Sequence, residues 1–237
     1  MSSGIYVATA GAVAQSNALD ATANNIANAA TAGFQGDRVT FREQLGRAKS
    51  ADVAMVDAGT TRVDNERGAL TQTDNPLDLA LDGDGFIGVE TPNGARYTRA
   101  GNLQLDGERR LTTADGLPVR GVGGGAITVP PTAQTIAVSP EGVVSADGAS
   151  VGSIELVRFA PAQTKREGGS LFSASGQPLA EDPPKVRSGM LESSNVNIVR
   201  GVVDLVKVSR TYESLMRVIQ GYHDVEQRAA RDLGAPK

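Results

Sequence analysis

Apolar side chains recur every seven residues within the first 36 positions, which places them along one side of a predicted helix. The repeat consists of Ile5, Ala12, Leu19 and Ile26. The segment contains a single charged residue, Asp20, so its opposite face lacks the charges that usually solvate a surface helix. We therefore expect it to pack against a partner helix, with an ordinary amphipathic helix on a globular core as the alternative. Gly33 is predicted to end the helix, since glycine tolerates the left-handed cap conformation.

A helical period returns between Asn197 and about Asp232. Its apolar positions follow each other at spacings of three, four or seven residues, namely Ile198, Val202, Leu205, Tyr212, Met216 and Ile219. Asn197 is suited to the N-cap, because its side chain can accept a hydrogen bond from a free N–H of the first turn. Opposite charges four residues apart, as at Glu213 and Arg217, indicate a solvated face.

The segment between the helices has the pattern of short β-strands separated by Gly, Pro, Asn or Asp. Leu77–Leu81 and Phe86–Val89 flank the turn Asp82–Gly85, which predicts a hairpin. Further predicted strands are Arg96–Arg99, Leu103–Leu105, Leu117–Arg120, Ile127–Val129, Thr135–Val138, Val143–Ser145 and Ile154–Phe159. A loop rich in Gly, Ser and Pro is predicted for Gly168–Pro184.

These patterns predict an α+β fold in four segments. Residues 1–36 form an N-terminal helical segment, 37–64 a connector that is either a short helix or extended, 65–186 a central β-domain, and 187–237 a C-terminal loop and helix. The shared seven-residue period predicts that the two helices pair as a coiled coil. The short strands predict an antiparallel β-domain that is barrel-like or sandwich-like.

The stretch Ala23–Phe34 contains three asparagines, Asn24, Asn25 and Asn28, where a self-sufficient helix would carry Leu, Glu or Lys. Asparagine is a poor helix former because its amide competes with the backbone for hydrogen bonds. We expect these side chains to bond across helices or to the turn at Gly33.

Composition and charge do not indicate an enzyme. Aromatic residues make up 4% of the chain, cysteine is absent, and the net charge of −4 gives no electrostatic footprint for nucleic acid. The single histidine, His223, and Glu226 are too few ligands for a metal site, and the turn Asp82–Gly85 lacks the closing glutamate of a calcium loop. We therefore assign no catalytic, cofactor-binding or metal-binding residue, and we expect no cofactor, nucleic acid or small-molecule substrate. The N-terminus lacks the pattern of a cleaved secretory signal.

Several motifs resemble those of the axial proteins of the bacterial flagellum. Ala23–Asn28, followed by Thr31–Phe34, resembles the N-terminal rod signature of that family, with Ile26 where leucine is usual. The chain is also similar to rod and hook sequences at three central stretches and one C-terminal stretch: Leu79–Ile87, Tyr97–Leu103, Leu111–Pro118 and Gly189–Asn197. The matches follow the family order, and within the family they favour the proximal-rod type, with the distal-rod type as the alternative.

The resemblance implies a structural subunit that assembles helically into the basal-body rod and transmits motor torque across the periplasm. Its implied partners are further copies, the adjacent proximal and distal rod subunits, and the flagellar type III export apparatus, with export that uses no cleaved signal peptide. The residues expected in the helix seam or subunit interface are Ile5, Ala12, Leu19, Asn24, Asn25, Ile26, Asn28, Ile198, Val202, Leu205, Tyr212, Met216 and Ile219.

Functions of two other classes stay open at this point. A β-domain adhesin or binding module with trimerising ends would need an aromatic platform, and five Phe, four Tyr and no Trp disfavour one. A hydrolase would have to rely on His223 and on carboxylates such as Asp82 and Asp84.

Overall fold

The computed structural model describes residues 3–48, 51–179 and 183–234. Their contacts divide the chain into two compact units. The unit that contains both chain ends, here called the terminal unit, comprises Met1–Ala27, Gly36–Asp64 and Asn197–Lys237. The other, here called the β unit, comprises Asn28–Gln35 and Asn65–Val196. Each unit is therefore built from separate stretches of the chain.

The terminal unit contains two helices and one hairpin: α1 (Ser3–Ala27), β1 (Asp37–Ala48), β2 (Ala51–Val63) and α2 (Ile198–Gly234). The strands pair antiparallel from Asp37↔Val63 to Ala48↔Ala51. Of the two alternatives predicted for the connector, the extended one is therefore correct. Valine and threonine recur along both strands, and such β-branched residues favour an extended backbone.

The helices α1 and α2 run antiparallel within the terminal unit. A Cβ atom added to Gly11 of α1 would lie 3.4 Å from Leu215, and one added to Gly201 of α2 would lie 2.9 Å from Ile26. Early α1 thus faces late α2, and the end of α1 faces the beginning of α2. The glycines allow this close approach because they carry no side chain at the contact.

Helix boundaries agree with the sequence at α2 and differ at α1. Asn197 caps α2 as predicted, since its Oδ1 accepts the Arg200 N–H at 3.0 Å. The prediction that α1 extends to Gly33 is wrong, because the helix ends at Ala27. The Thr31 N–H instead donates to the Asn28 carbonyl at 3.1 Å, which closes a turn immediately after the helix. The run of asparagines is the physical cause we assign, given their weak helix propensity.

The β unit consists of short strands whose named pairs are all antiparallel, which confirms an α+β fold. Its strands are β3 (Leu70–Gln72), β4 (Leu79–Asp82), β5 (Phe86–Thr91), β6 (Gly94–Thr98), β7 (Leu103–Leu105), β8 (Leu111–Thr113), β9 (Ile136–Val138), β10 (Val143–Ala146), β11 (Ala149–Ser153), β12 (Leu156–Val157), β13 (Thr164–Gly168), β14 (Leu171–Ala174), β15 (Lys185–Ser188) and β16 (Met190–Glu192). The largest sheet has the order β12-β5-β6-β14-β13.

One hairpin prediction, two strand predictions and one loop prediction are wrong. The strands on either side of the turn Asp82–Gly85 do not pair with each other, because β4 pairs with β15 and β5 pairs with β6 and β12. Leu117–Arg120 and Ile127–Val129 contribute only isolated bridges, such as Val89↔Val119 and Arg110↔Thr128. The predicted loop Gly168–Pro184 contains β14, which pairs with both β6 and β13. The reason is Phe172, which is 1% exposed. Burial of this aromatic side chain stabilises the paired strand in an otherwise Gly- and Ser-rich stretch.

The core of the β unit is aliphatic and modest, in keeping with the low aromatic content. It is formed by Leu79, Leu81, Ile87, Leu103, Leu111, Val119, Ile127, Val138, Val144, Ile154 and Val186. These residues come from half of the strands of the β unit and from stretches between strands, so the core joins several of the small sheets into one unit.

Candidate functional site

The predicted seam of α1 lies on the more buried side of that helix. Ala12 is 5% exposed, while Ile5, Leu19 and Ile26 are half-buried. The most buried positions are alanines, with Ala14 at 1% exposure. Small side chains leave room for a neighbouring helix to approach closely, and Tyr222 of α2 accordingly fills the space that a Cβ of Gly4 would need.

The predicted seam of α2 divides into two groups. Leu205, Tyr212, Met216 and Ile219 are half-buried, but Ile198 and Val202 are 52% and 45% exposed. Three further valines lie exposed in the same part of the helix: Val199, Val203 and Val206. We call these five exposed residues (Ile198, Val199, Val202, Val203 and Val206) the valine face. Sequence reasoning missed three of them, because a seven-residue template selects only one side of a helix.

The three asparagines of the signature have different surroundings. Asn25 lies beside the first residue of β1, where its Nδ2 donates to the Asp37 carbonyl at 2.8 Å and its Oδ1 accepts the Asp37 N–H at 2.7 Å. The expectation that Asn25 bonds to another helix or to the turn at Gly33 is therefore wrong. Asn28 accepts the Thr31 hydroxyl at 3.3 Å, within the turn that leads to Gly33. Asn24 is half-buried.

The second part of the signature, Thr31–Phe34, lies inside the β unit. Phe34 is 1% exposed, and the guanidinium of Arg166 stacks over its ring at 4.5 Å from the centroid. Arg166 also stacks over Phe172 at 5.1 Å and donates to the carbonyl of Gln35. The first part of the signature thus ends the helix of the terminal unit, and its second part, Thr31–Phe34, is packed into the β unit.

A buried ion pair lies beside this second part of the signature. Arg99 and Glu192 have side chains that are 3% and 2% exposed, and Arg99 Nη2 lies 2.5 Å from Glu192 Oε2. The Gly33 N–H donates to the Glu192 carbonyl at 2.7 Å, and the Gly68 N–H donates to Glu192 Oε1 at 3.2 Å. We call Gly33, Gly68, Arg99 and Glu192 the Glu192 cluster. Gly33, Arg99 and Glu192 each lie in one of the family-like stretches described above, but the sequence does not show that these stretches meet, because they are far apart along the chain.

The carboxylates and the histidine considered for catalysis do not converge. Asp82 and Asp84 pair with Arg187 at 2.8 Å and with Arg67 at 3.0 Å, and hydrogen bonds from these arginines lower the pKa of each carboxyl. His223 is exposed on α2. Among the described residues, no three His, Cys, Asp or Glu side chains are grouped so that they could hold a metal ion.

Three family models match the chain in order. Residues 5–35 match the flagella basal body rod protein model, residues 80–146 the flagellar hook protein FlgE/F/G D1 domain, and residues 187–232 the flagellar basal body rod FlgEFG protein C-terminal model. The class defined by these matches is that of the flagellar axial proteins.

Full-length relatives agree with the models. The chain is 34% identical to the flagellar basal-body rod protein FlgF of Caulobacter vibrioides, with 99% of both chains covered, and 35% identical to FlgF of Salmonella typhimurium, with 97% of both covered. It is 32% identical to FlgG of Bacillus subtilis over 88% of this chain and 90% of the relative. The chain belongs to the flagellar basal-body rod protein family, of the FlgF type.

Membership of this family makes the protein a structural component of the flagellar basal body and not an enzyme. The described part of the chain contains no helix with the length and apolarity required to cross a membrane.

Proposed function

We propose that this protein is a rod subunit that assembles helically with further copies and with adjacent proximal and distal rod subunits, and so transmits motor torque across the periplasm. The observation that carries the proposal is the valine face, a row of exposed apolar side chains along the first turns of α2. Covering apolar surface of a helix with a neighbouring helix removes that surface from water and so stabilises the assembly. Repeated contact of this kind along an axis generates a filament.

The pairing of α1 with α2 belongs to the same proposal. We propose that the two helices form a coiled coil, which the antiparallel contacts at Gly11 and Gly201 support. The seam residues predicted from the sequence, other than Asn25 and Asn28, would then serve either this pair or the contacts with neighbouring subunits. We further propose that the β unit is barrel-like or sandwich-like, since several small sheets share one aliphatic core.

The division into a helical segment at 1–36, a connector at 37–64, a β-domain at 65–186 and a C-terminal loop and helix at 187–237 stays a prediction. Delivery through the flagellar type III export apparatus without a cleaved signal peptide is likewise part of the proposal. The full-length similarity to FlgF proteins supports both.

A charge on the valine face tests the assembly. Val203 is 48% exposed, so Val203→Asp leaves the folded monomer stable to within about 0.5 kcal/mol, as is usual for surface substitutions. In the assembled rod the same carboxylate would be buried without a partner, which costs several kcal/mol. We expect the variant to fold with native circular dichroism and to fail both in restoring swimming to a strain that lacks the protein and in copurifying with basal bodies.

Thr211→Asp is the matched control, because Thr211 is an exposed polar position of α2 that lies on a different side of the helix from the valine face. It adds the same charge outside the valine face and is expected to assemble. Normal swimming and normal incorporation of Val203→Asp would show that the valine face makes no contact in the rod.

A further inference from the structure

Three segments of the β unit border the points where the chain passes to the terminal unit. They are residues 28–35, 65–69 and 192–196, and the chain passes between units at 27/28, 35/36, 64/65 and 196/197. Backbone hydrogen bonds connect them: the Ser193 N–H donates to the Ala69 carbonyl at 2.8 Å, and the Asn195 N–H donates to the Phe34 carbonyl at 3.2 Å. All three segments therefore lie together within the β unit.

The Glu192 side chain accepts hydrogen bonds from Arg99 and from the segment at 65–69. Its Oε2 accepts the Arg99 Nε at 3.0 Å and the Arg99 Nη2 at 2.5 Å, while its Oε1 accepts the Gly68 N–H. Arg99 also reaches a fourth segment, since its Nη1 donates to the Gly85 carbonyl at 2.8 Å. Both carboxylate oxygens and all three guanidinium nitrogens are thus used, which is the condition under which a buried ion pair is tolerated.

The segments approach so closely that only glycine fits at two positions. A Cβ atom on Gly33, whose φ is +64°, would overlap the carbonyl of Arg99. A Cβ atom on Gly68 would overlap the carbonyl of Ser193. Because backbone meets backbone here, a small shift of one segment would displace the others.

A buried ion pair is a weak source of net stability. Removing two charges from water costs about as much as their attraction returns, so replacement of the whole pair by apolar side chains is often neutral for folding. Arg99 and Glu192 are each 3% exposed, so the pair is buried. What it supplies, and what apolar side chains of similar size do not, is a set of directional bonds with one satisfactory geometry.

We propose that the Arg99–Glu192 pair is a positioning device, which fixes the three segments through which the chain enters and leaves the β unit and contributes little to the stability of its core. Arg99 and Glu192 are then positioning residues for Phe34, Gly68 and Asn195. The proposal concerns the folded single chain and is independent of the assembly proposed above.

The test compares three variants of the full-length protein, Arg99→Met, Glu192→Leu and the double variant Arg99→Met/Glu192→Leu. Chemical denaturation reports global stability, and amide hydrogen exchange measured by NMR reports on Gly33, Gly68 and Asn195 individually. The Leu111 and Val119 amides, which donate to the carbonyls of Ile127 and Leu111, report on the core.

Each single variant leaves one buried charge without its partner, so we expect a large fall in the unfolding midpoint. The double variant is expected to regain the native midpoint. In it, exchange at the Gly68 amide rises at least about tenfold, because this N–H loses its hydrogen bond to a charged group. Exchange at the Gly33 and Asn195 amides, which donate to the backbone carbonyls of Glu192 and Phe34, also rises because the segments are no longer held in one position. Exchange at the two core amides stays within about twofold of native, since local opening does not expose the core.

The exposed pair Asp82–Arg187, whose side chains are 49% and 52% exposed, provides the control. Asp82→Leu/Arg187→Met removes a comparable ion pair from a strand edge, and it is expected to leave all five amides unchanged. Two results would overturn the proposal. One is native protection of the three segment amides in the double variant. The other is a double variant as unstable as the single ones, with faster exchange at the core amides, since the pair would then be an ordinary stabilising contact.

Discussion

Truncation of Phe34 measures how firmly the rod signature is held in the β unit. The side chain is 1% exposed, so Phe34→Ala loses the full transfer free energy of a buried ring and leaves a cavity, which together cost about 3–5 kcal/mol. The cation–π contact with Arg166 at 4.5 Å is lost as well. That loss adds about 0.5–1 kcal/mol, at the lower end because Arg166 keeps its contact with Phe172. We expect the variant to be destabilised by about 4 kcal/mol.

Equilibrium unfolding of the full-length protein in urea provides the assay, with far-ultraviolet circular dichroism as the signal. Phe34→Leu retains most of the apolar volume and is expected to lose only about 1–2 kcal/mol. Val122→Ala, at a position that is 75% exposed, serves as the control and stays within about 0.5 kcal/mol of native. If Phe34→Ala loses less than about 1 kcal/mol, the ring is not part of the packed interior and our account of its packing fails.

Two smaller changes test other features. Hydrogen bonds from Thr135 lower the pKa of Asp147 below its usual 3.8, so the stabilisation from this carboxylate is present above that value and is lost as pH falls through the lowered pKa. The melting temperature of Asp147→Asn should therefore lie below native at pH 7 and converge with it as pH falls through the lowered pKa, and a constant difference would refute this. Asn25→Ala removes both bonds to the Asp37 backbone and should cost about 1–3 kcal/mol in thermal unfolding. Asn17→Ala, at an exposed position on α1, should be nearly neutral, and equal losses would contradict the role of Asn25.

The sequence predicted the helices and strands of this fold better than the contacts between them. The helical period identified α1 and α2, and the frequent turn residues identified an antiparallel β-domain, because both signals are local. The end of α1 was misplaced by six residues, since Gly33 does adopt a left-handed φ of +64° but does so against the backbone of Arg99. A glycine in the sequence therefore does not show whether a helix cap or a contact with another segment requires it.

The Glu192 cluster could not be predicted for a related reason. Arg99 and Glu192 are 93 positions apart, and each resembles an ordinary surface charge in its own neighbourhood. Only the folded backbone brings them together and excludes water from both. The valine face was only partly identified, since the seven-residue template used for Ile198 and Val202 omitted Val199, Val203 and Val206.

The chain enters and leaves the hairpin of β1 and β2 at neighbouring positions, Gly36 and Asp64. The Asp64 N–H donates to the Gly36 carbonyl at 2.7 Å, immediately outside the first strand pair Asp37↔Val63. Adding or deleting two residues in each strand would preserve this closure and the alternation of the strand backbone, while changing the length of the hairpin by about 7 Å. The length of the hairpin can therefore change in steps of two residues while the chain still enters and leaves it at Gly36 and Asp64.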